Sequence, residues 1–153
     1  MFVNPCDTDL ALARATDPAV ISSWQGDVDN GYDTPARTIE PASLMRVKKF
    51  GRTTGFSWGV LEARITTPTA ITYNSKHFRG VVWFRDVWTV RATGSPFALP
   101  GDSGSLVVNE DASAAIGIVF AANSSGDYGW IIPLPAVMVT FGGLTLLARH
   151  GVA

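Results

Sequence analysis

The sequence predicts an all-β domain built as an antiparallel barrel or sandwich. Three observations carry that expectation. From Met45 onward, short runs of β-branched and aromatic residues follow one another with turn residues between them. The 15 glycines and 9 prolines are scattered rather than clustered, which marks many separate turns. Only residues 135–141 carry a helical pattern. The chain has 153 residues, of which 46% are hydrophobic and 16% charged, a balance that supports a packed core and excludes a disordered chain.

Taken in order, the elements are these. Leu10-Ala11-Leu12-Ala13 follows Asp7-Thr8-Asp9 and reads as the end of a strand. Residues 22–35 are rich in Asp, Gly, Asn and Pro and read as a long surface connection with a turn at Asn30-Gly31. Residues 45–50 form a strand that runs into a turn at 51–55, and strands follow at 58–66 and 70–73. Residues 80–91 alternate through Val82, Phe84, Val87 and Val90 and read as one long strand. Strands at 105–109, 114–121 and 128–132 complete the set. Trp58, Trp83, Trp88 and Trp130 fall on strand positions, where large aromatics pack between strands or in the core.

Charge and composition remove several function classes. The formal net charge is −1, so there is no electrostatic footprint for nucleic acid or for an anionic membrane surface. Cys6 is the single cysteine and His77 and His150 are the only histidines, which argues against an internal disulfide and against a zinc site; no metal and no cofactor is expected. Residues 130–148 carry no charge and approach the length of a membrane span. Pro133, Pro135, Gly142 and Gly143 interrupt them, which fits a buried strand followed by a short helix instead. The first residues show neither a basic region nor an apolar run, so the expected location is cytoplasmic. Asn123-Ser124-Ser125 matches a glycosylation acceptor but reads here as a polar turn.

The segment with chemical content is Leu99-Pro100-Gly101-Asp102-Ser103-Gly104-Ser105-Leu106. A serine between Gly and Asp residues, followed at once by a strand, sits on a tight turn with its hydroxyl exposed. Gly101 lets the backbone turn so that its N–H and that of Ser103 converge, as an oxyanion needs; losing one such donor costs about 2.7–4 kcal/mol of transition-state stabilisation. Gly104 keeps side-chain bulk away from the far side of the serine.

Around that motif, Val47-Lys48-Lys49-Phe50-Gly51-Arg52-Thr53-Thr54-Gly55 resembles the start of the second barrel of trypsin-like (chymotrypsin-fold) serine peptidases, most of all the bacterial and plant branch. Pro100 to Ser105 resembles that family's nucleophile motif, and Ala115-Ile116-Gly117-Ile118-Val119-Phe120-Ala121 its pocket-lining strand. Trp130-Ile131-Ile132-Pro133 with residues 135–141 is similar to its last strand and C-terminal helix. The resemblance implies a Greek-key β-barrel at 45–153, an inter-barrel linker at 17–44 and a remnant of a first barrel at 1–16. It implies a serine endopeptidase that forms an acyl-enzyme on Ser103, with Asp9 as the orienting carboxylate and an oxyanion hole at Gly101 and Ser103. Asp9 is favoured over Asp7 because the apolar alternation starts right after it. The resemblance further implies that Asp102 buttresses the turn and that Phe120 and Ala121 line the specificity pocket. Phe97 is either at the base of that pocket, favouring small or apolar side chains over Lys and Arg, or a core aromatic. Arg52 reads as an anchor for local carbonyls.

One part departs from the pattern. A serine hydroxyl needs an imidazole to take its proton, and the family's histidine precedes its aspartate. Only eight residues precede Asp9 and none is histidine; His77 reads as an exposed hairpin residue and His150 as a tail residue. The expectation is therefore a peptidase chain that is inactive by itself. Its partners would be a peptide or protein substrate, and a first-barrel fragment or a second copy to cover the exposed sheet edge. The alternatives are a non-catalytic binding or regulatory module, and a plain β-barrel with a coincidental motif.

Overall fold

The computed structural model describes residues 9–151. Cys6, Asp7 and the rest of residues 1–8 lie outside the described residues, as do 152 and 153. The segment at 17–44 contains a short 3-10 turn, Pro18–Val20, and a small hairpin of strands β1 (Trp24–Gly26) and β2 (Gly31–Asp33). Strands β3 (Arg46–Gly51) and β4 (Gly55–Ile65) form the next hairpin, and β5 (Thr69–Asn74) and β6 (Arg79–Phe84) another. Then come β7 (Val87–Ala92), β8 (Leu106–Asn109), β9 (Ala115–Ala122), β10 (Tyr128–Pro133) and helix α1 (Leu134–Phe141).

Six of these strands close into an antiparallel barrel in the order β10-β7-β4-β3-β8-β9. β3, β4 and β7 lie side by side, and β8 returns to pair with β3, which is the Greek-key arrangement. Along β3 the burial alternates with period two, so Val47, Lys49 and Gly51 point inward and Arg46, Lys48 and Phe50 outward. Val47, Leu61, Val90, Phe97, Val107, Ile116, Val119 and Ile131 fill the interior. Phe97 enters this core from a loop because two strands yield to it. A Cβ on Gly59 or Gly129 would stand 3.0 and 2.9 Å from its ring, so only glycine lets that ring lie flat there.

A second apolar cluster lies outside the barrel wall, where Phe84, Val87, Ala115, Phe120, Ile132, Leu134 and Val137 meet. It joins the β5–β6 hairpin and α1 to the barrel, with Leu10 packed at its margin. α1 starts after Pro133 with Pro135 in its first turn and stops at Gly142, whose φ of 58° is the left-handed geometry that suits glycine. No helix among the described residues is long and apolar enough to cross a membrane.

Four sequence expectations change. The stretch 80–91 is two strands, because Asp86 takes a φ of 60° and turns the chain from β5's partner to β4's. Asp tolerates that conformation better than most residues, and its carboxylate holds Arg64 at 2.8 Å. Residues 10–13 are not a strand, since no strand among the described residues pairs with them. Residues 22–35 are more than a surface connection. Tyr32 of β2 is 5% exposed and its hydroxyl donates to the Leu106 carbonyl at 3.1 Å. Tyr32, Phe56 and Trp58 surround the Lys48 ammonium at 5.4, 5.8 and 5.2 Å, clamping the hairpin onto β3 and β4. Trp83 is directed outward on β6 and is 37% exposed, rather than packed.

This packing makes a prediction. Ile116→Ala should destabilise the chain by about 2–5 kcal/mol. Val139→Ala, on the 82% exposed face of α1, should stay within about 0.5 kcal/mol. Urea unfolding followed by tryptophan fluorescence separates the two; equal costs would mean the barrel interior is not close-packed.

Candidate active site

The Ser103 turn is built from outside its own sequence. Asp102 is 1% exposed, and its carboxylate points back under the turn between β3 and β4. Oδ1 accepts the Thr53 and Thr54 backbone N–H groups at 2.7 and 3.2 Å. Oδ2 accepts the Leu99 N–H and the Thr54 hydroxyl, both at 2.9 Å. Lys49, wholly buried on the inward face of β3, brings its Nζ to 3.6 Å from Oδ2 and donates to Thr54 Oγ1 at 2.6 Å. The same ammonium stands 5.7 Å from the centre of the Phe97 ring. A Cβ on Gly51 would collide with Asp102 Oδ1 and stand 2.7 Å from Lys49 Nζ, so the glycine makes room for the ion pair.

Burial pushes the Asp102 carboxyl up, but the Leu99 and Thr53 N–H groups, the Thr54 hydroxyl and Lys49 outweigh it and hold its pKa below the ordinary value. Burial also depresses Lys49, against the opposing pull of Asp102. Burying this pair is worthwhile only because every lone pair of the carboxylate is occupied.

The turn itself closes with Asp102 N–H donating to the Leu99 carbonyl at 3.0 Å and Ser105 N–H to the Asp102 carbonyl at 3.0 Å. Gly101 has a φ of 105° and Gly104 of 91°, conformations that favour glycine. A Cβ on Gly101 would stand 2.5 Å from Thr53 Oγ1 and 2.8 Å from Arg52 Nη2. Thr53 Oγ1 donates to the Pro100 carbonyl at 2.9 Å, fastening the two turns a second time. Among the described residues, the N–H groups of Gly101 and Ser103 donate to no protein acceptor. Arg52 has no ion pair or hydrogen bond among them either; its guanidinium lies beside Gly101 rather than on local carbonyls.

Ser103 is exposed and its hydroxyl donates to the Phe120 carbonyl at 3.3 Å. Beside it a cavity of about 70 Å³ is lined by Ala98, Leu99, Pro100, Ser103, Val119, Ala121 and Ala122. Of the residues assigned to a pocket from the sequence, Ala121 lines this cavity. Phe97 lies in the barrel core, its carbonyl accepting the Ser57 hydroxyl at 2.8 Å. The Phe120 ring turns the other way and packs 4.8 Å from that of Phe84.

Asp9 is at the surface and its carboxylate accepts the Tyr73 hydroxyl of β5. His77 is exposed in the β5–β6 turn. His150 is not a loose tail residue: its backbone pairs with Ser23, and its Nε2 lies 3.1 Å from the Pro18 carbonyl. Neither imidazole is hydrogen-bonded to Ser103. Among the described residues no group of three or more His, Cys, Asp or Glu could hold a metal ion. The residue that sequence reasoning missed is Lys49. Its signal was available, because period-two alternation places Lys49 on the same face as Val47 and Gly51.

A Cellulomonas bogoriensis chymotrypsin aligns with a TM-score of 0.62 at 18% identity, over 84% of this chain and 63% of its own. Thermobifida fusca Protease A aligns with a TM-score of 0.62 at 21% identity, over 83% of this chain and 61% of its own. A glutamic-acid-specific serine protease aligns with a TM-score of 0.61 at 22% identity, over 88% and 65%. The barrel has the chymotrypsin fold. The chain spans less than two thirds of the length of each of these three. No family model and no curated protein matches it.

Two outcomes follow from the buried carboxylate of this barrel. Its contribution to stability is present in full above the unfolded pKa of about 3.9 and is lost as pH falls through the lower folded value. The stability advantage of the native chain over Asp102→Asn, measured by urea unfolding, should therefore shrink below that pH; an advantage unchanged down to pH 2 contradicts the assignment. Lys49→Met, which leaves the carboxylate without its counter-charge, should cost about 3–5 kcal/mol.

Proposed function

We propose that the chain carries the nucleophile side of a serine endopeptidase site. Ser103 is the nucleophile, and Asp9 orients an imidazole that comes from outside these 153 residues. The observation that carries this reading is the exposed Ser103, with two unoccupied N–H groups beside it, on a chymotrypsin-fold barrel. In the reaction, Ser103 Oγ attacks the scissile carbonyl while its proton passes to the imidazole. The Gly101 and Ser103 N–H groups take the oxyanion. Collapse transfers the proton to the leaving amine and leaves an ester on Ser103, which water hydrolyses by the same route in reverse. Asp102 and Lys49 hold the turn and do not touch substrate.

The alanine-lined cavity suits a small apolar side chain before the cleaved bond and offers no counter-charge to Lys or Arg. A first-barrel polypeptide is the natural source of the imidazole, whether continuous with this chain or separate. The non-catalytic reading is favoured by one observation, the Ser103 hydroxyl resting on the Phe120 carbonyl rather than on a base.

A fluorophosphonate probe tests the proposal. The chain alone should label slowly, and addition of a chymotrypsin-fold first barrel carrying histidine should accelerate labelling by about 10³-fold or more. Ser103→Ala should abolish it, and the active assembly should prefer Ala over Arg before the cleaved bond by at least about tenfold. Labelling that survives Ser103→Ala, or none with the added barrel, sinks the peptidase reading.

A further inference from the structure

Closing the barrel removes every edge from its six strands, but among the described residues the β5–β6 hairpin pairs with nothing beyond itself. We propose that the outer edge of β6 pairs with the same edge of a second copy of this chain. The two strands run antiparallel about a two-fold axis at Val81, so that two hairpins make one four-stranded sheet. The contact does not involve Ser103 and is independent of the peptidase reading.

The register of the hairpin decides which backbone groups are free. At its tip the Ser75 N–H donates to the Phe78 carbonyl at 2.9 Å. Bonded pairs recur at every second residue along an antiparallel ladder, so Tyr73↔Gly80, Ile71↔Val82 and Thr69↔Phe84 are the bonded pairs that follow. The N–H and C=O groups of Arg79, Val81 and Trp83 therefore point away from β5. No protein donor or acceptor among the described residues meets them. A two-fold axis at Val81 sets these same three residues opposite one another, in the positions that exchange ladder hydrogen bonds.

The side chains suit that pairing. Val81 falls against Val81 of the other copy and Arg79 against its Trp83, all on the exposed face of the hairpin. Val81 is 52% exposed and Trp83 37%, and each is covered by its counterpart. Arg79, which has no ion pair among the described residues, gains an indole face for its guanidinium. Beyond the strand ends, the same register brings Lys76 of the tip alongside Asp86 of the other copy, an acid otherwise shared by Arg64 and Arg85. β6 also lacks the devices that protect an edge, since it carries no proline, no lysine and no bulge. The β5 edge is less suited, because a two-fold axis at Thr72 sets Ala70 against Asn74, and Tyr73 of that strand is tied to Asp9. A contact of one short strand a side is smaller than a standard interface, so the dimer is weak, with a dissociation constant on the order of 10–100 µM.

Sedimentation velocity of the purified chain from about 1 µM to about 500 µM tests the pairing. The mean mass should rise from that of one chain towards that of two. Val81→Pro removes an outward N–H without touching the β5 ladder, and should weaken association by at least about tenfold. Trp83→Lys, which sets a second cation against Arg79, should do the same. Thr72→Lys, on the same face but on β5, should leave association within about threefold. The register has its own readout. A hydrogen-bonded pair spaces its Cα atoms at about 5.5 Å, a distance that a disulfide spans. With Cys6→Ser to leave a single thiol, Val81→Cys should cross-link into a covalent dimer under mild oxidation, and Thr72→Cys should not. Both cysteine positions are exposed, so this comparison stands even if Val81→Pro does not fold. A mass that stays that of one chain at every concentration overturns the proposal. So does a dimer that cross-links through position 72 and not through 81. A monomer that labels with fluorophosphonate beside an added barrel overturns this inference alone. A dimer that never labels overturns the peptidase reading alone.

Discussion

The buried carboxylate of Asp102 is the constraint on which the rest of the site depends. It accepts four hydrogen bonds and a cation from three separate places in the chain: Leu99, the Thr53–Thr54 turn, and Lys49 inside the barrel. An ion inside an apolar barrel is tolerated only when its partners are all present, so these three places must be in register before the turn can form. The Ser103 hydroxyl and the two unoccupied N–H groups follow from that register. The turn is held from beneath, by two side chains buried away from solvent.

The barrel supplies the register. Lys49 reaches Asp102 because period-two alternation along β3 turns it inward, and Gly51 leaves the space for both groups. Phe97 closes the interior on the other side, with glycines at 59 and 129 beneath its ring. The β1–β2 hairpin then ties the outer face of β3 and β4 to β8 through Lys48 and Tyr32. Burial raises the Tyr32 pKa far above its usual range, so the hydroxyl remains a donor to Leu106 at any ordinary pH. The C-terminal residues are held to the same hairpin through Ser23 and Asp33. One chain of contacts thus runs from the inter-strand hairpin to the strand that follows Ser103.

The barrel was legible in the sequence because its strands are short, punctuated and rich in β-branched residues. The Gly-Asp-Ser-Gly turn was legible because glycine marks the positions that need a positive φ. What was not legible depended on contacts distant in sequence. Residues 80–91 alternate without a break, yet Asp86 splits them, since the choice between β5 and β4 as partner is made by tertiary pairing. Phe97 fitted a pocket base and a core position equally well from its spacing, and only the glycines facing it placed it in the core. The inward face of Lys49 was available from the alternation along β3, but its pairing with Asp102 was not, because the two lie 53 residues apart in the chain. The local motif announced the turn, whereas the charge beneath it had to be read from the barrel.

The most direct test of the central claim is a ¹³C NMR titration of the Asp102 carboxyl, recorded alongside the backbone amides of Gly101 and Ser103. Asp102 should titrate below the ordinary value of 3.8, and both amide signals should move with it. An Asp102 that titrates at or above that value, or Gly101 and Ser103 amides that stay fixed while it titrates, would contradict it.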